Sequence, residues 1–311
     1  MARDSTRSPQ FSHGMPVVRM SELSREQRSQ ILRVPFFSPS LGLRRWLALK
    51  LPPDYQPGQE LPLVYCFRGH HFEWISGRED ASRQNPLPAQ LEQAIKEGRL
   101  PPAILVFPCF GSDDRKMFAI AANWSYPRAI PAQRGMGLGR FEDYLLEDLM
   151  PQLERSLGLY NPRRIAIGFS LGGLLAMQLS LRHPHLFTDV GTYDGSFFDH
   201  PVRSDDSILS YGIFEPIFGY PRNAELVAQH SPLALLQSPG PECQKVRFYV
   251  QSGPERAEPN DSNFYRCRQV VQALEAAGLT NHLPQVVEDG HHNWYTADRF
   301  AMAILELALK G

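Results

Sequence analysis

A chain of 311 residues that is 42% hydrophobic, 11% aromatic and 21% charged can bury a large core, and it lies outside the composition of chains that stay disordered. Lysine plus arginine (32) nearly balances aspartate plus glutamate (33), so a formal charge of −1 leaves no long-range field to draw in nucleic acid or an anionic membrane. No stretch approaches the roughly 18 apolar residues of a membrane span, and residues 1–28 lack the apolar centre of a secretory signal, which makes the cytoplasm the expected location. Cys66, Cys109, Cys243 and Cys267 are scattered with no C-x-x-C spacing, so they are expected to be buried, reduced thiols.

Residues 1–28, rich in Ser, Arg and Gln and broken by Pro9 and Pro16, read as a mobile or loosely attached leader to a single domain over 29–311. Ile31 to Phe37 and Leu43 to Leu51 are strand-like runs across a Ser-Pro-Ser-Leu-Gly turn, which predicts an antiparallel lead-in hairpin. Leu61 to Phe67 and Ala103 to Pro108 follow as apolar strands, with a helical segment around Leu91 to Glu97 between them. Phe141, Tyr144, Leu145, Leu149, Leu153 and Leu157 keep helical spacing over 141–157. Further on come a strand at Val246 to Gln251, a helix at Asn263 to Ala277, a short strand at Gln285 to Glu288 and a helix at Thr296 to Lys310. Strands alternating with helices predict an α/β fold: a mainly parallel sheet with helices on both faces.

The segment Arg164 to Met177 carries the chemistry. Ile165-Ala166-Ile167 reads as a buried strand, Gly168-Phe169-Ser170-Leu171-Gly172 as a G-x-S-x-G turn, and Leu174 onward as a helix that stops at His183-Pro184. Chance would supply the bare pattern on the order of 0.1 times in a chain of this length, so the flanking strand and helix are what give it weight. Small residues two before and two after the serine let the backbone turn sharply and expose the hydroxyl. Ser170 is therefore the candidate nucleophile.

A serine hydroxyl needs a base to remove its proton and a carboxylate to hold that base in one tautomer. Among the histidines after Ser170, His291 and His292 lie on a loop between a strand and a helix, where strand C-termini gather catalytic groups. The loop after Val246 to Gln251 offers Glu255, Glu258 and Asp261 as the acid. Glu255 is the first choice because it leaves the strand soonest, with Asp261 as the alternative. The oxyanion hole calls for two backbone amides, expected from Leu171 and from His70 in the loop Arg68-Gly69-His70-His71. The two His-His pairs have no acidic partner at ligand spacing and do not sit at i, i+4 on a helix, so neither a metal nor another cofactor is expected. Phe72, Trp74, Trp124, Tyr126 and Trp294 are aromatics that could line a substrate cleft, although core packing is the commoner fate of such residues.

With these residues in hand, the chain resembles the esterase D or carbohydrate-esterase-family-one branch of the α/β-hydrolases, which includes feruloyl, acetyl-xylan and enterochelin esterases, S-formylglutathione hydrolases and mycobacterial mycolyltransferases. The likeness runs from about Val34 to Leu307. It rests on Leu51-Pro52-Pro53-Asp54-Tyr55, Asn123-Trp124, Phe141 to Leu149, Gly168 to Gly173, Asp194-Gly195-Ser196-Phe197 and Gly290-His291-His292-Asn293-Trp294. The resemblance aligns the catalytic histidine with His292. Two departures bear on substrate: Arg68-Gly69 stands where the family has His-Gly or Asp-Gly, and Asp194 replaces a small residue near the turn. Arg68, Trp124 and Asp194 are accordingly expected to bind substrate. The G-H-S-M-G-G-H-G-A signature of S-formylglutathione hydrolases is absent. The resemblance implies a serine-dependent carboxylic ester hydrolase acting on a small acyl or carbohydrate-linked ester, with acyl transfer to an alcohol or sugar, or a binding protein on the same fold, as alternatives.

Overall fold

The computed structural model describes residues 30–56, 58–127, 135–198 and 207–310. The expected leader, 1–28, lies outside the described residues.

The hairpin forms as β1 (Ile31–Ser38) and β2 (Leu43–Lys50), paired antiparallel from Ile31 opposite Lys50 to Ser38 opposite Leu43. β3 (Leu63–Phe67), β4 (Ile104–Phe107), β5 (Arg164–Phe169), β6 (Asp189–Tyr193) and β7 (Arg247–Gln251) then complete one sheet in the order β1-β2-β4-β3-β5-β6-β7. β2 meets β4 antiparallel, and every pairing from β4 to β7 is parallel. This is the α/β-hydrolase arrangement with an antiparallel lead-in.

Alternation along each strand sends residues to two separate cores. Leu63, Tyr65 and Phe67 face one side, with Leu145, Leu149 and Leu153 from α2, which runs over 141–157 as an α-turn, a π-helical stretch (Tyr144–Leu149) and an α segment (Met150–Leu157). Val64, Cys66, Ile165 and Ile167 face the other, with Leu87 and Leu91 of α1 (Leu87–Lys96) and Phe300, Ala301 and Ile304 of the C-terminal helix (Trp294–Lys310). Because both faces are covered, the central strands read as unbroken apolar runs. Cys66, Cys109, Cys243 and Cys267 are all free and buried. No helix among the described residues is long and apolar enough to cross a membrane.

Two elements differ from expectation. The short strand at Gln285 to Glu288 is only a single bridge, Ser252 to Val286, because Pro284 precedes it and the chain turns at Glu288-Asp289. Conversely β6, which the alternation of apolar runs does not reveal, sits fully buried beside the serine strand.

Candidate active site

β5 ends at Phe169 and the helix α3 (Leu171–Arg182) begins immediately after Ser170, whose backbone lies at φ 53°, ψ −117°. A positive φ in a non-glycine residue is strained and persists only where the surroundings hold it. Here they do. A Cβ on Gly168 would come within 2.0 Å of the Gly172 carbonyl oxygen, and a Cβ on Gly172 within 1.9 Å of the Phe67 carbonyl oxygen, so only glycine fits at either position. The Ser170 amide donates to the Tyr193 carbonyl at 3.0 Å, which hooks the turn to the end of β6. The Ser170 hydroxyl lies 3.2 Å from that of Ser196, whose amide donates back to the Ser170 carbonyl at 3.0 Å.

Ser170 and His292 border one cavity of about 300 Å³, together with Arg68, Leu171, Phe118 and Ser196. The His292 ring packs on Phe169, with centroids 4.8 Å apart. Its Nδ1 is 2.5 Å from Oδ2 of Asp194, a fully buried carboxylate at the end of β6 that itself has a positive φ of 50°. The other Asp194 oxygen accepts from the Asn263 amide at 2.8 Å and, more weakly, from the Ser262 hydroxyl at 3.4 Å. The Asn263 side chain clamps the Asp194 carbonyl at 2.9 Å. With Nδ1 committed to Asp194, Nε2 is the nitrogen left for the cavity.

The carboxylate on the His292 ring is therefore Asp194, and not Glu255 or Asp261. The sheet order gives the reason. At about 4.8 Å per strand, the end of β6 lies one spacing from the serine strand and the end of β7 lies two. Glu255 instead accepts from the Tyr265 hydroxyl at 2.5 Å on the surface. Glu258 accepts from the Phe264 amide at 3.0 Å, at the first residue of the helix Phe264–Ala276, and burial raises its pKa. Asp261 pairs with the ring of His291 at 2.5 Å and accepts the His292 amide at 2.9 Å, so it touches the backbone of His292 rather than its imidazole. The loop after β7 thus holds Asp194 through Ser262 and Asn263 instead of placing its own carboxylate on the imidazole. The signal in the sequence was Asp194 itself, which departs from the small residue that the related motif carries there.

The two amides expected at the oxyanion hole are differently placed. Leu171 opens α3 beside Ser170, and among the described residues its amide has no hydrogen-bond acceptor. The His70 amide donates to Oε2 of Glu73 at 2.5 Å and is therefore already engaged, so the expected second donor is not available in this arrangement. Arg68 does border the cavity. Trp124 does not: its ring packs against Gly139 and Phe141, where a Cβ on Gly139 would come within 2.3 Å of it. Asp194, expected to bind substrate, is fully buried behind His292. Trp74 and Trp294 are buried against each other, leaving Phe118 and Tyr211 as the aromatics of the cavity wall. Among the described residues no three His, Cys, Asp or Glu side chains are grouped to hold a metal ion.

A sheet of this order, with a serine on the turn after the fifth of its seven strands and a histidine bordering the same cavity, has the layout of the α/β-hydrolase class. Within that class the chain belongs to the Esterase family ("Putative esterase"), whose model matches residues 38–306. A curated relative is "Uncharacterized protein YbbA" of Bacillus subtilis (strain 168), 25% identical over 273 residues that cover 85% of this chain and 92% of the relative. Among solved structures, a ferulic acid esterase superposes with a TM-score of 0.65 at 17% identity, covering 90% of this chain and 97% of that one. The fluorophosphonate-binding serine hydrolase F (FphF) of Staphylococcus aureus gives 0.60 at 17% identity, covering 90% and 97%. These structural likenesses establish the fold, and family membership makes the protein an esterase.

Proposed function

We propose that the protein is a serine-dependent carboxylic ester hydrolase that works through an acyl-enzyme on Ser170, with His292 as general base and acid and Asp194 as the carboxylate that orients it. The observation that carries this reading is the 2.5 Å contact from Asp194 to His292 Nδ1, which turns Nε2 toward the cavity that Ser170 borders. On substrate binding the Ser170 hydroxyl leaves Ser196 for His292 Nε2, a tightening common between free and substrate-bound hydrolases. Oγ then bonds to the ester carbon, its proton passes to Nε2, and the carbonyl π pair moves onto oxygen near the Leu171 amide. Collapse of that intermediate breaks the bond to the alcohol oxygen, which takes the proton from His292. Water, deprotonated by the same nitrogen, releases the acyl group. Asp194 stabilises the imidazolium that forms in each half-reaction. No cofactor enters.

The cavity supports a small ester. Phe118, Ile208 and Ile213 give it an apolar side, while Asn260, Ser262 and Asn263 give it a hydrogen-bonding side, so it suits a compact acyl group joined to a polar alcohol such as a sugar. A fluorophosphonate should label wild type and leave Ser170→Ala unlabelled, and turnover of p-nitrophenyl acetate should fall by about 10⁴-fold or more in that variant. Equal labelling of the two proteins would remove Ser170 from the mechanism.

A further inference from the structure

The loop after β3 departs from a two-amide oxyanion site in a specific way. One carboxylate, that of Glu73, performs two tasks. Its Oε2 accepts the His70 amide at 2.5 Å, and its Oε1 accepts Nε of Arg68 at 3.0 Å. Glu73 is held in place by its surroundings, since its carbonyl accepts from the buried Arg83 and the next residue, the buried Trp74, donates from its indole to the Phe67 carbonyl at 2.9 Å.

Arg68 is equally fixed. Its Nη1 donates to the carbonyl of Phe169, the residue before the nucleophile, at 3.3 Å. The guanidinium carbon lies 5.2 Å from the Phe169 ring centroid and 5.7 Å from that of Trp294, so the charged head packs against both rings. Among the described residues Nη2 has no protein acceptor, and Arg68 is the one lining residue besides His292 that can carry a charge in the Ser170 cavity. The start of α3 presses on this backbone: a Cβ on Gly172 would come within 3.1 Å of the Arg68 nitrogen. Arg68 therefore begins beside Gly172, the residue that follows Leu171.

We infer that the guanidinium of Arg68, in place of the His70 amide, supplies the second oxyanion contact of this esterase, and that Glu73 is the positioning residue that makes the exchange. The inference rests on Ser170 being the nucleophile. As Oγ bonds to the ester carbon, the carbonyl pair moves to oxygen, which accepts from the Leu171 amide and from an N–H of Arg68. Arg68 keeps all its protons, and collapse returns the pair to the carbonyl as the alcohol leaves. A guanidinium is a charge-assisted donor and holds a developing oxyanion more strongly than a neutral amide. The same carboxylate that withdraws the His70 amide keeps the guanidinium from swinging into solvent.

The test is steady-state turnover of p-nitrophenyl acetate, which has no anionic group for Arg68 to bind in the ground state. Arg68→Ala should lower kcat by about 10²–10³-fold with KM changed by no more than about threefold, the pattern of an interaction made in the transition state. Arg68→Lys should recover only part of the loss, and added guanidinium chloride should partly rescue Arg68→Ala, which a merely structural defect would not allow. Glu73→Ala should lower kcat by about tenfold as Arg68 loosens. An Arg68→Ala enzyme with kcat near wild type, a loss confined to KM, or a rise in kcat in Glu73→Ala would overturn the inference and return the role to His70. Stoichiometric fluorophosphonate labelling of Arg68→Ala at long times shows that its site is folded. Absence of labelling in wild type would instead indict Ser170 as the nucleophile.

Discussion

Two aspartate–histidine pairs sit side by side in this molecule, on adjacent histidines, with the same 2.5 Å separation between Nδ1 and Oδ2. In the first, Asp194 is fully buried and His292 is 30% exposed; in the second, Asp261 and His291 are 46% and 59% exposed. Identical distances conceal different physics. The outer pair sits in high dielectric, where such contacts contribute about 0–1 kcal/mol, and salt screens it further. The inner carboxylate has lost its water and is compensated by the Asn263 amide, the Ser262 hydroxyl and the imidazole. Removing one partner there strands a charge or fixes the wrong tautomer. Burial and the supporting donors, rather than separation, distinguish the two carboxylates, and under the proposed mechanism only the buried one orients a base.

The largest expected effect breaks the inner pair. Asp194→Asn preserves shape but can donate to Nδ1, which leaves Nε2 carrying the proton and unable to accept one from Ser170. We expect kcat to fall by about 10⁴-fold with little change in KM, measured on p-nitrophenyl acetate above pH 7. A loss smaller than about tenfold would mean that Asp194 is not the orienting acid.

A third histidine sharpens the contrast by having a cation where the first two have carboxylates. His230, the last residue of the helix Ala224–His230, is 6% exposed, and its Nδ1 lies 3.2 Å from Nη1 of Arg182, itself paired with Glu142 at 2.8 Å. Burial chiefly, then the Arg182 charge, lowers its pKa from 6.5 to about 4, against a smaller opposing pull from Glu142. The folded state therefore refuses a proton that the unfolded chain accepts. The stability this costs is absent above pH 6.5 and accumulates as the pH falls toward 4, to about 3 kcal/mol. Urea unfolding at pH 7 and pH 4.5 should show a smaller pH-dependent loss in His230→Gln than in wild type. An equal loss in both would place the titration elsewhere.

Why the outer loop and not β6 drew attention as the source of the acid is a matter of how strands announce themselves. The hairpin, β3, β4, β5 and β7 are rich in β-branched, aromatic or leucine side chains, and α2 and the C-terminal helix keep their apolar spacing, so the sheet and its layers were legible. Ser170 and the His291-His292 loop followed from local pattern. β6 reads Asp-Val-Gly-Thr-Tyr, begins with a charged residue paired with Arg163 and Arg247, and has glycine at its centre. That glycine is a tertiary requirement: a Cβ there would meet Ile304 at 3.0 Å and Phe300 at 3.3 Å, on the helix packed across the strand. The engagement of the His70 amide by Glu73 was likewise invisible, because it depends on how one loop closes on itself. Gly191→Val should cost about 1–3 kcal/mol in chemical denaturation through overpacking, and should lower activity as the Asp194 end of the strand shifts. A fully stable valine variant would show that the helix gives way freely.

The smallest effects belong to the outer loop, and they separate its two carboxylates from each other. Glu255 reaches only the Tyr265 hydroxyl on the surface, so Glu255→Gln should leave kcat, KM and stability within experimental scatter, about 0.5 kcal/mol. Asp261 holds the His292 amide at 2.9 Å through its side chain and at 3.0 Å through its own carbonyl, of which substitution removes only the first. Asp261→Asn keeps an acceptor oxygen and should lower kcat by less than about tenfold, while the pH at which activity rises stays where it was, because the imidazole still faces Asp194. A fall in kcat approaching that of Asp194→Asn, or a displaced pH profile, would make the exposed pair a partner in catalysis and erase the distinction that burial draws between them.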